Sequence, residues 1–273
     1  NDFMIKLDYK PLIFFNKKEK NLRVLFEIGE IYPIYFSNNN LIGYFEDTKF
    51  LISYDVKKNK LNWIKKLNGY PHHWGQVYDG KIYVTIKDFK KQPNDFTSLF
   101  SEYDYGKCNL DTSIVDYLVI LDIKNGDTLN SIDVFSSIYE SNPSILNERF
   151  LKGPAPPALR GSPLIDYSLD CNDTLHLNDI RVLTDKKNSL LYNANPGDIL
   201  ISSVQHHFFI IDHKTYLINW VSGVLANGHA HSPRLTPEGT LIYFNNSACE
   251  YINTLEMECF SQLINFNPKK NTT

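Results

Sequence analysis

The sequence predicts an all-β fold with little helix, and two features indicate it. Aromatic residues make up 14% of the 273 residues, with 17 Tyr and 17 Phe, and much of the apolar content lies in runs rich in Ile, Val, Tyr and Phe. Such side chains favour strands, because they pack well on a pleated, half-buried surface. The second feature is an internal repeat in which short strands alternate with tight turns.

The repeat is irregular, and its clearest copies share one layout. A turn such as Asp79-Gly80 leads into a strand, a variable stretch follows, and then an apolar strand ends in Asp before a polar turn and a last strand. A unit of about four short strands cannot bury both of its faces alone, so the copies must stack, and radial stacking gives a β-propeller. The strands that define the copies lie at 50–55, 60–63, 81–84, 117–123, 199–203, 208–212, 217–220, 239–244 and 263–267.

The predicted fold is a single β-propeller domain over residues 1–273, with about six (five to six) four-stranded blades. Four units are legible from about residue 31, and the segments 11–15 and 22–26 form a further hairpin at the N-terminus. The pattern stops at 267, one strand short of a full unit. Either the N-terminal hairpin completes the last blade, or the sequence is a piece of a longer protein.

Two long insertions interrupt the repeats, at 88–113 and at 136–172. Loops of this length are uncommon in compact domains and are usually functional covers or disordered segments. Both insertions contain large apolar residues, so we expect long loops that cover one face of the propeller.

Composition and charge narrow the classes of partner. The net charge is −3 and the Lys and Arg residues are scattered, so there is no electrostatic footprint for nucleic acid or an anionic membrane. No run of about 18 apolar residues occurs, so we expect no membrane-spanning segment, and residues 1–10 lack the layout of a signal peptide. Small molecules or proteins are the expected partners.

The four cysteines allow two disulfides. Cys249 and Cys259 bracket a short segment with the pattern of a hairpin, whereas Cys108 and Cys171 lie in polar, loop-like sequence. An even number of cysteines fits an oxidising compartment, and four free thiols fit the sequence equally well. The disulfide state therefore stays open at this point.

Four of the eight histidines occupy the position where a repeat begins: His72, His73, His176 and His231. Equivalent positions of successive blades face the same central channel, so we expect these imidazoles to converge there. Converging imidazoles suit a metal site, general acid–base chemistry or an oxyanion site. The alternative is that each histidine is a structural residue that ties one strand to another.

Three of the repeat segments resemble successive motifs of the arylsulfotransferase family. The segment 174–180 is similar to its His-x-Asn-x-Ile element, and 230–246 to its Gln-His-Asp element with the following Pro-x-Gly turn; 197–203 resembles the strand between them. The pair His72-His73, followed by Asp79-Gly80, resembles an earlier His-His element. The order and spacing agree over about residues 70–246.

The resemblance implies a periplasmic or exported propeller enzyme that uses no cofactor. Such an enzyme moves a sulfuryl group from a phenolic sulfate ester to another phenol through a sulfohistidine. By position, His231 matches the nucleophile, His176 a sulfate-binding or acid–base partner, and His72 or His73 the third channel histidine. Substrate-binding candidates are Asn178, His206 and Arg234.

Departures from the family pattern leave two other functions open. The slot of the family arginine holds Val204, and Ala230 and Ser232 flank His231 where the family has Gln and Asp. Arg alone offers a planar fork of donors to an anion, so its loss favours a non-catalytic propeller that binds a small anionic ligand or a protein, unless His206, Arg160 or Arg234 compensates. The other alternative is a metal site with the ligands His72, His176 and His231.

Overall fold

Most of the repeat region has a defined structure. A computed structural model of the chain describes residues 3–5, 13–16, 21–24, 31–45, 48–91, 112–141, 175–186, 192–203, 207–222, 229–251 and 257–267. The elements in this part of the chain are β1 (Phe3–Ile5), β2 (Ile13–Asn16), β3 (Asn21–Val24), β4 (Ile31–Ser37), β5 (Asn40–Phe45), β6 (Phe50–Asp55), β7 (Lys60–Lys66), β8 (Tyr70–Tyr78), β9 (Lys81–Lys91), β10 (Thr112–Asp122), β11 (Thr128–Asp133), α1 (Val134–Ser141), β12 (Leu177–Val182), β13 (Ile199–Ser203), β14 (His207–Ile211), β15 (Ile218–Val221), β16 (His229–Leu235), β17 (Leu241–Tyr251) and β18 (Met257–Phe266).

The strands form antiparallel sheets in which each strand pairs with its neighbour in sequence. Within the described ranges there are three four-stranded sheets, β4–β7, β8–β11 and β12–β15, and two three-stranded sheets, β1–β3 and β16–β18. The strand order confirms the repeat layout predicted from the sequence.

The first strands of four sheets lie side by side. Strand β8 packs against β4 and β12, and β12 packs in turn against β16. Residues of all four strands line one cavity between them. Sheets that meet along their innermost strands around a common channel are the blades of a propeller, so the predicted all-β propeller fold is confirmed.

Apolar side chains fill the space between neighbouring blades. Ile42, Val84 and Leu121 belong to the cluster between the β4–β7 and β8–β11 blades. Further clusters join the β8–β11 blade to the β12–β15 blade and the latter to the β16–β18 sheet. Each fully buried Leu, Ile or Phe contributes about 1.5–3 kcal/mol, so stacking supplies the burial that one sheet lacks.

The Asp that ends a strand in each repeat has a defined role in the following turn. The Oδ1 atom of Asp122 accepts a hydrogen bond of 2.7 Å from the backbone N–H of Lys124. Asp55 accepts one of 2.9 Å from Lys58 N, and Asp212 accepts one of 2.7 Å from Thr215 N. Such side-chain bonds stabilise tight turns, which explains why Asp recurs at this position.

The two predicted insertions are only partly described. Strand β9 reaches Lys91 and β10 begins at Thr112, so both ends of the predicted 88–113 insertion belong to one long hairpin. The helix α1 overlaps the start of the second insertion. It buries Val134 and Ile138 completely, and the hydroxyl of Ser141 accepts a hydrogen bond of 2.8 Å from Ile218 N. Residues 92–111 and 142–172 lie outside the described ranges, and their role as covers stays a prediction.

The register of the last hairpin pairs two cysteines. Cys249 lies directly opposite Cys259 in the β17–β18 ladder, which confirms the predicted hairpin. The side chains of these residues, and the whole of Cys108 and Cys171, lie outside what the structure describes. Across the described ranges, no helix is both long and apolar enough to cross a membrane.

Candidate functional site

A break in strand pairing marks the innermost strand of every blade that contributes to the channel. A β-bulge bends its strand and changes the direction of the side chains around it. The breaks lie between Pro33 and Tyr35, His72 and Gln76, Leu177 and Asp179, and His231 and Arg234.

Three residues at or beside these bulges have left-handed backbone conformations. The φ angles are 54° at His73, 42° at His176 and 50° at Ser232. A non-glycine residue in this region costs about 1–3 kcal/mol, and such strain often concentrates at functional sites. Gly75 has another role, because a Cβ there would lie 2.6 Å from the carbonyl oxygen of Tyr83 and 2.9 Å from Cγ2 of Ile34.

The bulges bring four imidazoles from three blades together. We call His72, His73, His176 and His231 the histidine cluster. The Nε2 atom of His176 lies 3.3 Å from Nε2 of His72 and 3.3 Å from Nε2 of His73. The ring of His231 is 5.5 Å from that of His73, centroid to centroid. These histidines therefore contact one another across the blades, and their chemical roles stay predictions.

Hydroxyl groups hold the backbone around the cluster. Thr85 Oγ1 donates a 2.5 Å hydrogen bond to the carbonyl of His72, and the Ser203 hydroxyl donates to the carbonyl of Leu175. Tyr44, on the neighbouring blade, donates a 2.8 Å hydrogen bond to the carbonyl of His73. Carbonyls near the bulges thus keep partners, as buried backbone groups require. This pattern of hydroxyl residues on the second strands was not predicted from the sequence.

Lys87 is a fifth side chain at the cluster, and it was not predicted from the sequence. It lies on β9, and its Nζ is 3.1 Å from Nδ1 of His176 on the next blade. The sequence feature that could have indicated Lys87 is its position at the end of the mostly apolar run 82–86, on the strand that follows His72 and His73.

Burial favours the uncharged form of His72 and His231. It lowers the pKa of His72 far below its ordinary value, and electrostatic repulsion from His73 and Lys87 lowers it further. Burial is also the main cause that lowers the pKa of His231, followed by His176. A neutral imidazole has a free nitrogen lone pair, which a nucleophile, a general base or a metal ligand needs.

Asn178 connects two blades directly below the cluster. Its side chain is fully buried, and its Nδ2 donates a 3.0 Å hydrogen bond to the carbonyl of Ala230, the residue before His231. This contact positions the strand that carries His231. Within the described structure the Oδ1 atom of Asn178 is buried without a hydrogen-bond partner. A contact between Asn178 and substrate stays a prediction.

Asp179 supports the other side of the His231 bulge. Its carboxyl is fully buried, accepts a hydrogen bond from Ser232, and lies 3.3 Å from Nη2 of Arg181. Burial raises the pKa of Asp179 to about 7, although Ser232 and the charge of Arg234 oppose the rise. A carboxyl group on a neighbouring strand therefore stands beside the residue that follows His231.

We expect Asp179→Asn to make the slope of stability against pH more positive, because it removes one contribution that falls as pH rises. Between the ordinary pKa of 3.8 and the folded value of about 7, the folded state binds more protons than the unfolded state. The contribution of Asp179 to the free energy of unfolding therefore falls as pH rises, by up to about 1.4 kcal/mol per pH unit. Urea unfolding at pH 5, 6 and 7 measures the slope, with the exposed Asp127→Asn as control. Equal slopes in wild type and Asp179→Asn would contradict this expectation.

The structure does not place Arg234 in the histidine cluster. Arg234 is exposed, donates a 3.1 Å hydrogen bond to the carbonyl of Pro233, and lines a cavity of about 500 Å³ with Arg181 and Gln76. This cavity lies toward the ends of the innermost strands, whereas the cluster lies toward their starts. Val204, His206 and Arg160 lie outside the described ranges, so compensation for the family arginine stays untested.

Comparison with known proteins identifies similar folds. Neither protein-family models nor curated proteins give a match to this chain. Among solved structures, the β-propeller domain of Cps50 (Swd1) from Myceliophteria thermophila is 12% identical, with a TM-score of 0.46, 91% of this chain covered and 64% of that chain. BamB from Moraxella catarrhalis is 12% identical, with a TM-score of 0.43 and coverages of 98% and 64%.

The Dos1 propeller is also similar, at 11% identity and a TM-score of 0.48, with 96% of this chain and 53% of that chain covered. The chain thus spans between about half and two thirds of the length of these three proteins. The similarity concerns the fold, and it does not extend to the arylsulfotransferase family.

Proposed function

We propose that this protein transfers a sulfuryl group between phenolic compounds through a histidine nucleophile. One observation supports the proposal most strongly: imidazoles from three blades lie together at the starts of the innermost strands, with a lysine beside them. This arrangement offers a neutral nucleophile and several N–H donors within a few ångströms, which is what transfer of an anionic group requires.

In the first step a nitrogen of His231 attacks the sulfur of an aryl sulfate ester. An N–S bond forms, the S–O bond to the aryl group breaks, and the phenolate leaves with the bonding electron pair and takes up a proton. In the second step an acceptor phenol attacks the sulfohistidine sulfur, the N–S bond breaks, and the phenolic proton passes to a base. His176 is suited to both proton transfers because it adjoins His72 and His73.

The remaining cluster residues bind the sulfuryl oxygens in this scheme. N–H groups that point at the oxygens stabilise the negative charge of the transition state in a site with little water. His73 or His72 and His176 supply such donors, and Asn178 holds the strand that carries His231. An aryl sulfate and a phenol are therefore the proposed partners. A periplasmic or exported location belongs to the same proposal and rests on the family resemblance.

A chromogenic aryl sulfate supplied with a phenol acceptor tests the proposal. The expected result is release of the coloured phenol together with a new sulfate ester on the acceptor, both detected by chromatography. Binding of inorganic sulfate without release from a range of donors would contradict transfer, and it would support the non-catalytic propeller that binds an anionic ligand.

A metal site is the second candidate, and one specific measurement favours it. Two imidazole nitrogens on one tetrahedral Zn²⁺ would lie about 3.3 Å apart, and this is the separation of Nε2 in His176 from Nε2 in both His72 and His73. The possible ligand atoms of these three residues all lie within 4.8 Å of one another. Elemental analysis of the purified protein tests this candidate, which requires a stoichiometric metal that disappears in His73→Ala.

A further inference from the structure

We propose that Lys87 is a positioning residue that fixes the tautomer of His176, so that Nε2 carries the proton and faces the histidine cluster. The inference concerns a contact between two blades, β9 of one and the start of β12 in the next. The assignment of a sulfuryl oxygen as the acceptor of this N–H rests on the proposed function, but the assignment of the tautomer does not.

The donors and acceptors at His176 determine where its proton lies. A lysine ammonium has three donors and no acceptor, and Lys87 Nζ lies 3.1 Å from Nδ1 of His176. Nδ1 must therefore accept through its lone pair. A neutral imidazole has a single N–H, which is then on Nε2.

The protonated Nε2 lies in the middle of the cluster. It is 3.3 Å from Nε2 of His72 and 3.3 Å from Nε2 of His73, longer than the roughly 2.9–3.0 Å that is most common for N–H donors in proteins. The N–H thus lies between the rings of His72 and His73, where an oxyanion that enters the cluster would meet it. A metal ion would need the lone pair of Nε2, so Lys87 disfavours His176 as a ligand.

Lys87 also places a positive charge beside the histidine cluster. An ammonium in a partly buried site strengthens the binding of an anion more than it would in water. The second-strand residue Lys87 therefore acts in two ways at once: it orients one donor and it raises the affinity of the cluster for a small oxyanion such as sulfate.

The test combines a tautomer measurement with a ligand measurement on the full chain. Imidazole ¹⁵N chemical shifts of histidine-labelled protein report the tautomer, and His176→Gln assigns the signals. We expect Nε2–H in wild type and Lys87→Arg, a mixture in Lys87→Met, and Nδ1–H in Lys87→Glu, whose carboxylate accepts a hydrogen bond. Inorganic sulfate, titrated by calorimetry, is expected to bind about tenfold more weakly to Lys87→Met.

Lys81→Met is the matched control, because it removes the same charge from the other end of β9 and should leave both measurements unchanged. The proposal is overturned if His176 keeps the Nε2–H tautomer in both Lys87→Met and Lys87→Glu. It is also overturned if Lys81→Met changes the tautomer as much as Lys87→Met does. Absence of sulfate binding in wild type would count against the proposed function and against the effect of Lys87 on anion affinity, but not against the tautomer, since the tautomer measurement needs no ligand.

Discussion

His231→Ala is expected to lower the turnover of an aryl sulfate by at least about 10³-fold, because it removes the atom that bonds to sulfur. The remaining donors of the cluster would still bind the ester, so the Michaelis constant should change much less than kcat. His231 lies at a bulge and is only partly buried, so the variant should keep its fold. Phenol release per mole of folded protein, together with circular dichroism, measures the effect.

His213→Ala is the matched control for this variant. It removes a histidine that bonds to Asp198 at a distance of 2.7 Å, after β14 and away from the cluster. A sulfuryl group on the protein, detected by mass spectrometry after rapid acid quench, should appear in wild type and be absent from His231→Ala. Turnover by His231→Ala within tenfold of the control would exclude His231 as the nucleophile. Loss of the sulfuryl adduct in His176→Ala alone would move that role to His176.

The second large effect is on stability in acid, and it depends on His72. Since the pKa of His72 in the folded state lies well below the ordinary value of 6.5, the unfolded state binds more protons below pH 6.5. The contribution of His72 to the free energy of unfolding therefore falls as the pH falls. The neighbouring groups that oppose protonation of His72 are His73, Lys87, His176 and His231.

Compared with His72→Gln, wild type should lose about 2–3 kcal/mol of unfolding free energy between pH 6.5 and pH 4.5. Urea unfolding of both proteins at four pH values gives this difference directly. The titration of Asp179 contributes to both proteins and cancels in the comparison. Parallel curves for the two proteins would show that His72 accepts a proton in the folded state without penalty.

Local repetition made the fold and the histidines predictable from sequence. Each copy contains its own turn aspartate, such as Asp122 or Asp212, and its own apolar strands, so the pattern is visible without knowledge of how the blades stack. The histidines follow the same logic, because they occupy the start of the repeat. Their convergence then follows from radial symmetry.

The residues that the sequence did not reveal act between blades. In the sequence Lys87 is an ordinary lysine near the end of a strand, and its contact with His176 depends on the packing of β9 against β12. Asp179 is important because β16 places Ser232 against its carboxyl. The bulges were also missed, since a histidine is only a weak signal of the left-handed φ angles found at His73 and His176. These features arise from contacts between strands that are distant in sequence, and a local sequence pattern does not encode such contacts.

The contacts Tyr44 to His73 and Asn178 to Ala230 both cross a seam between neighbouring sheets. An isolated blade would keep its histidine but lose the contact from the neighbouring blade that holds that histidine in position. Mild heat or denaturant that disrupts only the contacts between blades should therefore disorder the imidazoles, while the sheets still give an unchanged far-ultraviolet circular dichroism spectrum.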